Sequence, residues 1–386
     1  MSPLAQRARA VGAAVAARHA DSVDKEARFP RESFAALRDA KLLGAMVPRD
    51  LGGEGAPIAE IVEACHALGH FCPSTAMIYA MHQIQVACVV RHGQGVEWHR
   101  GLMRRLAADQ LLLASATTEA GVGGDVRSSV CAVERDGERF SLAKNATVIS
   151  YGADADGILA TARRAPDAPA SDQVIVAVLR DDYALERTST WDTLGMRGTC
   201  SDGYWLRAKG HVEQILPAPY AEMSAQTMLP VTHLVWSAMW SGIASDAVGR
   251  ARAYIRAEAR RKPGATPPGA LRLSETVADL QLMRANVAAA TRRYEAAMAA
   301  PDTLGSLAFA VSMNALKTGS ADIAVRIIHQ ALLVCGLSAY RNDTDYSLGR
   351  HLRDAHSAAL MVSNDRIHGN TANLLLALKD DPGLFA

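Results

Sequence analysis

The order of its segments predicts an α+β protein in which helices and strands occupy separate stretches of the chain. Residues 1–112 carry apolar side chains at helical spacing, residues 113–222 alternate as strands do, and residues 223–386 return to long helical patterns. Because strands and helices do not alternate with each other, a doubly wound βαβ sheet is excluded. We therefore predict an N-terminal α-helical domain, a middle β-barrel-like domain and a C-terminal four-helix bundle, with boundaries at those positions.

The N-terminal domain is predicted from short amphipathic helices that turn-rich breaks separate. The first segment is rich in Ala and Arg but lacks the long apolar stretch of a secretory signal, so we interpret it as a helix. An apolar stripe starts at Phe34 and ends at Gly44, and the LGGEGAP run at 51–57 breaks the chain. Apolar spacing then predicts helices over 58–69 and 74–92.

The middle domain is predicted from strand alternation and tight turns. The stretch at 130–150 alternates as a hairpin does, and Asp136-Gly137 is a typical two-residue hairpin turn. Residues 173–179 have the β-branched composition of a short strand. The Gly-rich run GVGGD at 121–125 does not fit GxGxxG, so a nucleotide cofactor is expected to be held without a Rossmann fingerprint.

The C-terminal bundle is predicted from long segments with helical periodicity. They cover 233–260, 272–300, 305–335 and 351–378, and Pro- and Gly-containing breaks separate the earlier ones. Segments of this length with an apolar face are typical of helices that pack side by side.

Composition excludes several classes of protein. The chain has 386 residues and a formal net charge of +1, from 41 basic and 40 acidic side chains, so no bulk field attracts nucleic acid. No apolar stretch reaches the roughly 20 residues that a membrane helix needs. The six cysteines form no CxxC pair, which is typical of a reducing compartment. We therefore expect a cytoplasmic protein that binds neither nucleic acid nor membrane.

Segments spread over nearly the whole chain are similar to motifs of the acyl-CoA dehydrogenase superfamily. The family's N-terminal helix and loop resemble ARFPRESFAALRDAKLLGAMVPRDLGGEG (27–55), and its first signature resembles LLASATTEAGVGGDV (112–126). The segment ISYGADAD (149–156) resembles the family's flavin-facing strand. The segment WDTLGMRGTCSDGYWL (191–206) resembles its GmRgT strand, and GRHLRDAHSAALM (349–361) resembles its RDA helix. Because the matches follow the family's order, the chain is identified as a divergent member, and the family's fold is expected.

The resemblance implies FAD bound between the β domain and the bundle of a homodimer or homotetramer. Carried over by position, Thr118 and Ser150 would hydrogen-bond the isoalloxazine ring, and Ser115 and Thr117 would line it. Hydroxyl and N–H donors at that ring stabilise the electron density that arrives with hydride. Thr and Ser are also common strand residues, which is the alternative interpretation of these positions.

The expected contacts of the FAD diphosphate and adenine depart from the family pattern. Arg260 is the nearest candidate for the family's diphosphate arginine, and Gln330 and Gly336 only approximate its adenine-contacting turn. The serine that follows glycine in the first signature is Gly124 here, so one expected hydroxyl is missing.

The resemblance also implies a carboxylate base, and both positions where the family places it hold other residues. Most members carry a Glu seven residues beyond the alanine of the RDA element, and that position is Val362 here. A minority carry it ten residues before a matching glycine, and counting back from Gly242 gives Thr232. The α-proton of a thioester is weakly acidic, so a base is needed.

Three substitutes for the missing base remain open. Asp365 lies one helical turn past the first of these positions, on the same side of a continuous helix. His82 lies where the family's substrate-facing helix reaches the flavin, and His233 lies beside the second position. A single histidine is more often a core or surface residue than a catalytic one, and Asp365 can instead pair with Arg366.

The leading functional hypothesis is FAD-dependent α,β-dehydrogenation of an acyl thioester on CoA or on a carrier protein. The electrons would pass to an electron-transfer flavoprotein or to dioxygen. The alternative is a flavin-dependent monooxygenase of the same fold, which uses dioxygen and reduced flavin and manages without the glutamate. A non-enzymatic flavoprotein is the third hypothesis.

A cluster of metal-ligand residue types near the end of the predicted helix at 58–69 has a simpler interpretation. His66 and His70 lie four residues apart, and Cys65 and Cys72 flank them. Because the family helix places these residues in ordinary packing against the bundle, we expect no metal site here.

Overall fold

The computed structural model describes residues 1–123 and 125–379. The α-helices of this part of the chain are α1 (Pro3–Val11), α2 (Ala17–Lys25), α3 (Arg31–Asp39), α4 (Ile58–Gly69), α5 (Pro73–His92), α6 (Glu97–Ala108), α7 (Tyr220–Met223), α8 (Leu229–Arg261), α9 (Ala270–Met298), α10 (Pro301–Leu304), α11 (Leu307–Cys335), α12 (Leu337–Tyr340), α13 (Gly349–His356) and α14 (Asn364–Ala377). The strands are β1 (Leu113–Ala116), β2 (Glu134–Asp136), β3 (Arg139–Ala146), β4 (Gly157–Arg163), β5 (Gln173–Leu179), β6 (Tyr183–Ser189) and β7 (Gly203–His211). These strands lie between the early and the late helices, which confirms the α+β prediction.

The helices α4 and α5 form where the apolar spacing predicts them, whereas α3 ends at Asp39, before the predicted end of the apolar stripe at Gly44. α4 begins and ends at the predicted residues, and α5 begins at Pro73, which suits a first helical position because its missing N–H would be unpaired there. Gly69 allows α4 to lie directly against α8, since a Cβ there would be 2.3 Å from the carbonyl oxygen of Met239. This close approach fixes the N-terminal domain on the first half of α8.

The β domain consists of two sheets. One has the order β1-β4-β5, with β1 parallel to β4, and the other is antiparallel with the order β2-β3-β7-β6. The predicted hairpin is β2 and β3, but its two loop residues are Gly137 and Glu138, one residue later than the predicted Asp136-Gly137, because Asp136 still pairs with Arg139; Gly137 takes the first loop position with a positive φ of 58°. The predicted strand at 173–179 is β5.

The bundle is built on α8, which packs against α4, α9 and α11. Residues 230–245 of α8 are all buried, so this half of the helix is surrounded by protein on every side. Its later residues are more exposed and carry all of its arginines. Polar groups in the first half of α8 must therefore find partners within the fold or in a bound ligand.

The last predicted helix is interrupted, which corrects the prediction of one continuous segment over 351–378. α13 ends at His356, a short 3₁₀ turn covers Ser357–Ala359, and α14 begins at Asn364. Val362 in the gap has a left-handed φ of 48°. The buried side chain of Lys317 binds two carbonyl oxygens of this interrupted segment, those of Ala358 and Val362.

Two further features concern the chain as a whole. Among the residues described, no helix is both long enough and apolar enough to cross a membrane. All six cysteines are free thiols, and all but the half-buried Cys200 are buried.

Candidate active site

Three of the sequence motifs meet at the ends of neighbouring strands. Thr118, just after β1, donates its hydroxyl to the Val148 carbonyl oxygen at 3.2 Å. Ser150, just after β3, lies 2.7 Å from the hydroxyl of Ser201, which precedes β7. Ser201 is in turn 2.8 Å from the Thr199 hydroxyl. The predicted flavin-contacting residues Thr118 and Ser150 therefore lie on adjoining segments, beside a third motif that adds hydroxyls of its own.

Ser115 and Thr117 complete this hydroxyl group at the end of β1. Both are half-buried, and their hydroxyls have no hydrogen-bond partner among the described residues. Hydroxyls donate and accept equally well, which matches the mixed donor and acceptor edge of an isoalloxazine ring. The residues present thus fit the flavin that the resemblance implies.

A buried ion pair holds the loop that follows the first signature. Glu119 and Lys144 lie with 3.1 Å between Oε2 and Nζ, and both side chains are buried. Glu119 also accepts hydrogen bonds from the Ser129 hydroxyl at 2.7 Å and the Cys131 N–H at 2.6 Å. Burial raises the pKa of Glu119, but the Ser129 hydrogen bond and the Lys144 charge outweigh it, so the pKa is lower than usual. Sequence reasoning missed this pair because nothing in the local pattern joins residues from separate segments.

The RDA element docks on the loop before β7. Asp354 is buried, and its Oδ1 accepts the Met196 N–H at 2.7 Å. Burial raises the pKa of Asp354 to about 6. Gly195 permits the approach, since a Cβ there would lie 2.2 Å from the Arg353 carbonyl oxygen. Arg353 pairs with Asp24 of α2 at 2.5 Å, and Arg197 of the loop donates to the Asp24 carbonyl oxygen at 2.9 Å, so the loop contacts both an early and a late helix.

His82 is held by backbone groups on both ring nitrogens. Its Nδ1 accepts the Leu113 N–H at 3.0 Å, and its Nε2 donates to the Leu43 carbonyl oxygen at 3.0 Å. Burial lowers the pKa of His82 to about 4. With both nitrogens engaged, His82 links α5 to β1, and this geometry favours a structural role over the predicted role as a base.

His233 has one ring nitrogen free. Its Nδ1 donates to the Met313 carbonyl oxygen at 3.0 Å, which leaves the lone pair on Nε2, and Nε2 is buried without a partner among the described residues. Burial, and after it the positive charge of Lys317, lowers the pKa of His233 to about 4, so the ring is neutral at pH 7. The neighbouring Thr232 hydroxyl donates to the Met228 carbonyl oxygen at 2.6 Å. Of the three predicted bases, His233 is therefore the one that keeps a buried lone pair without a partner among the described residues, and its role as a base stays a prediction.

Asp365 and Val362 do not share a helix face. Asp365 is exposed in the first turn of α14, whereas Val362 lies before that helix and is 42% exposed. Behind this segment lies Lys317 of α11, which sequence reasoning missed and which donates to the Val362 carbonyl oxygen at 2.6 Å. Its position among apolar residues at helical spacing could have shown from the sequence that Lys317 is buried and binds other parts of the chain.

The predicted diphosphate and adenine residues lie near the ends of α8 and α11. Arg260 is exposed, and Gln330 accepts a hydrogen bond from Arg272 of α9 at 2.6 Å. Gly336 follows α11 with a positive φ of 56°. Gly124 lies outside the described residues, and the assignment of this part of the cofactor site stays a prediction.

The cysteine and histidine cluster at the end of α4 has ordinary partners. His66 lies with Nδ1 2.7 Å from the Ser241 hydroxyl, and His70 lies 3.7 Å from Asp246. Cys65 and Cys72 are buried. Within the described residues, no group of three or more His, Cys, Asp or Glu side chains is arranged to hold a metal ion.

Comparison with known families matches both helical regions. The family model described as acyl-CoA dehydrogenase, N-terminal domain, matches residues 2–97, and acyl-CoA dehydrogenase, C-terminal domain, matches residues 223–371. The probable acyl-CoA dehydrogenase FadE25 of Mycobacterium tuberculosis is 24% identical over 357 residues, which are 90% of this chain and 88% of that protein.

Solved structures share the fold over almost the whole chain. Butyryl-CoA dehydrogenase from Megasphaera elsdenii superposes with a TM-score of 0.81 at 19% identity, over 97% of this chain and 99% of that one. Dibenzothiophene monooxygenase TdsC from Paenibacillus sp. A11-2 superposes with a TM-score of 0.78 at 19% identity, over 99% and 98% of the two chains. These likenesses confirm the predicted fold.

Proposed function

Because the chain belongs to the acyl-CoA dehydrogenase family, we propose that it oxidises an acyl thioester, on CoA or a carrier protein, to the α,β-unsaturated product. The protein is a flavin-dependent oxidoreductase, and its cofactor is FAD. FAD, when bound, supplies the acceptor for the hydride that leaves the β-carbon. The α-proton needs a separate acceptor, and the observation that carries the proposal is the free Nε2 of His233.

His233 takes the α-proton in this proposal. As the α-C–H bond breaks, its electron pair forms the new double bond while the β-hydrogen leaves with its own pair, so two electrons leave the substrate. The proton goes to Nε2, and the Nδ1–H bond to Met313 keeps the ring oriented throughout. The positive charge of Lys317 disfavours the imidazolium that forms, so the proton is released again before the next turnover.

A flavin-dependent monooxygenase is the second candidate function. Two observations favour it: neither Val362 nor Thr232 is a carboxylate, and the fold is shared with a dibenzothiophene monooxygenase. In that reaction dioxygen is the oxidant and a flavin reduced by an external donor supplies the electrons. No acyl thioester is oxidised, so no α-proton has to be removed.

The partners in the proposal follow from the reaction and from the surface. The electrons taken from the substrate pass to an electron-transfer flavoprotein or to dioxygen. We also propose a homodimer or homotetramer, because large apolar side chains are exposed on or beside the late helices. These are Leu271, Leu282, Leu333, Leu337 and Leu376.

Anaerobic flavin bleaching separates the two functions. Acyl thioesters added without oxygen should bleach the flavin of the purified protein, and His233→Gln should slow that bleaching by about 10²-fold or more while FAD stays bound. Asp365→Asn is the matched control, since it alters the other open candidate on the surface.

Each other outcome has a defined meaning. Loss of bleaching in Asp365→Asn but not in His233→Gln would assign the base to Asp365. Absence of bleaching in the unaltered protein, with oxygen-dependent product formed from reduced flavin, would establish the monooxygenase. A protein that cannot be loaded with FAD would exclude both reactions.

A further inference from the structure

A buried lysine holds the turn between α13 and α14. Lys317 of α11 is fully buried, and its ammonium group donates three hydrogen bonds. The acceptors are the carbonyl oxygens of Ala358 at 2.9 Å and Val362 at 2.6 Å, and Oδ1 of Asn364 at 2.6 Å. All three donor positions of the ammonium are therefore used within one turn.

This lysine keeps its charge without a carboxylate in contact. Among the described residues no carboxylate lies within ion-pair distance of Lys317, and burial lowers its pKa to about 8. Asp322 on the same helix is exposed and raises that pKa only from a distance. An unpaired buried cation is unfavourable, and neutral donors would satisfy the same oxygens, so the charge needs an explanation beyond packing.

The turn that Lys317 holds is strained at the position of the family's usual base. Val362 has a φ of 48°, a left-handed conformation that β-branched residues adopt at a cost of about 1–3 kcal/mol. Its carbonyl oxygen is one of the three that bind Lys317. The hydrogen bond from the lysine therefore opposes relaxation of the turn into regular helix.

The neighbouring turn of α11 orients His233. The Met313 carbonyl oxygen accepts the Nδ1–H of His233, and Met313 lies four residues before Lys317, one turn away on the same face. The Lys317 ammonium also lies 5.9 Å from the ring centre of Trp240, which is two turns after His233 on α8. Lys317 thus faces the buried half of α8 and the strained turn at once.

We propose that Lys317 is a positioning residue, whose hydrogen bonds fix the 358–364 turn and whose ammonium group faces the buried half of α8 that carries His233. The catalytic part of this inference rests on the proposed function, whereas the fixing of the turn does not. Lys317 itself does not touch the reacting atoms; it acts through the turn and through His233. The charged groups acting on this pair are the lysine itself and the more distant Asp322.

Two substitutions separate the hydrogen bonds from the charge. In FAD-loaded protein, Lys317→Met removes both, and hydrogen exchange of the backbone amides at 357–364 should become at least about tenfold faster. Lys317→Gln keeps a donor without the charge and should retain most of the protection. Lys41→Met is the matched control, because it removes an exposed lysine charge elsewhere and should leave this exchange unchanged.

A second readout follows the charge. Burial is the larger cause of the low pKa of His233, and without the ammonium that pKa rises, so the acid limb of the bleaching rate should move to higher pH in both Lys317 variants. A structural role alone would not move that limb. Unchanged exchange in Lys317→Met, or an acid limb that stays in place in both variants, would overturn the proposal.

The test stays decisive if a variant misfolds or the reaction is a different one. Asn364→Ala removes one acceptor and leaves the charge, so it should speed the exchange at 357–364 without moving the acid limb; unchanged exchange would contradict the inference. If acyl thioesters do not bleach even the unaltered protein, the proposed function fails. In that case the pKa of His233, followed by NMR in Lys317→Gln, tests the charge without the reaction, and an unmoved pKa would overturn that part.

Discussion

Lys144 of the β domain and Lys317 of the bundle are both fully buried, but their ammonium groups have different kinds of partner. Lys144 lies 3.1 Å from the Glu119 carboxylate and also donates to the Thr161 carbonyl oxygen at 2.9 Å. Among the described residues, Lys317 is bound by neutral oxygens and leaves a net positive charge inside the bundle. An ion pair confines its field, whereas an unpaired charge acts on its neighbours. The first lysine therefore stabilises a loop, and the second tunes a histidine.

Removing the ammonium from the paired lysine should have the largest effect on stability. Lys144→Met leaves the Glu119 carboxylate buried without its counter-ion, and the free energy of unfolding should fall by about 3 kcal/mol or more. Urea denaturation at pH 7 measures the loss. The double variant Lys144→Met with Glu119→Gln should recover part of it, and a double variant as unstable as the single one would contradict the ion-pair account.

The corresponding change in the bundle should be smaller. Lys317→Met leaves oxygens without donors but no buried carboxylate, so we expect a loss of about 2 kcal/mol by the same measurement. A loss equal to or greater than that of Lys144→Met would remove the distinction between the paired and the unpaired charge.

Acid should destabilise the protein partly through His233. Its folded pKa of about 4 lies below the ordinary value of 6.5, so between these values the unfolded chain binds more protons and stability falls as the pH falls. His233→Gln should reduce the stability lost between pH 6 and pH 5 by about 1 kcal/mol. His356→Gln, at the exposed end of α13, is the control and should leave the slope unchanged.

Relief of backbone strain should give the smallest effect. Val362→Gly removes the β-branched side chain at a φ of 48° and so relieves backbone strain in the folded state. Glycine also makes the unfolded chain more flexible, and after that cost is subtracted the free energy of unfolding should still rise by about 0.5 kcal/mol. A rise in the thermal midpoint measures it. Val130→Gly, at another exposed valine that has no positive φ, should lower the midpoint; a fall in both variants would show that the strain is not stored at Val362.

The elements that the sequence predicted well are those that local periodicity determines. α4 occupies the predicted residues because its apolar positions recur at helical spacing, and β5 does so because a β-branched run has turn residues on both sides. The hairpin was predicted because glycine readily adopts the left-handed conformation of such a turn, although the loop is Gly137-Glu138 and not the predicted Asp136-Gly137. The fold as a whole was predicted from the order of motifs.

The features that the sequence did not predict depend on contacts between distant segments. Helical periodicity continues through 351–378, but the helix is interrupted where Lys317 of another helix binds the carbonyl oxygens at Ala358 and Val362. The roles of His82 and His233 could not be separated either. Both are buried histidines on apolar helices, and only the tertiary partners show that one has both nitrogens engaged while the other has Nε2 free.

The pair formed by Asp24 and Arg353 also constrains when the protein can finish folding during synthesis. The two residues are 329 positions apart. At a translation rate of about 5–20 residues per second, Arg353 is added to the growing chain roughly 15–65 s after Asp24. During that interval α2 carries a carboxylate without its cation, and the loop before β7 lacks the helix against which it packs. The contact that closes the first domain onto the last is thus among the latest that the growing chain can make.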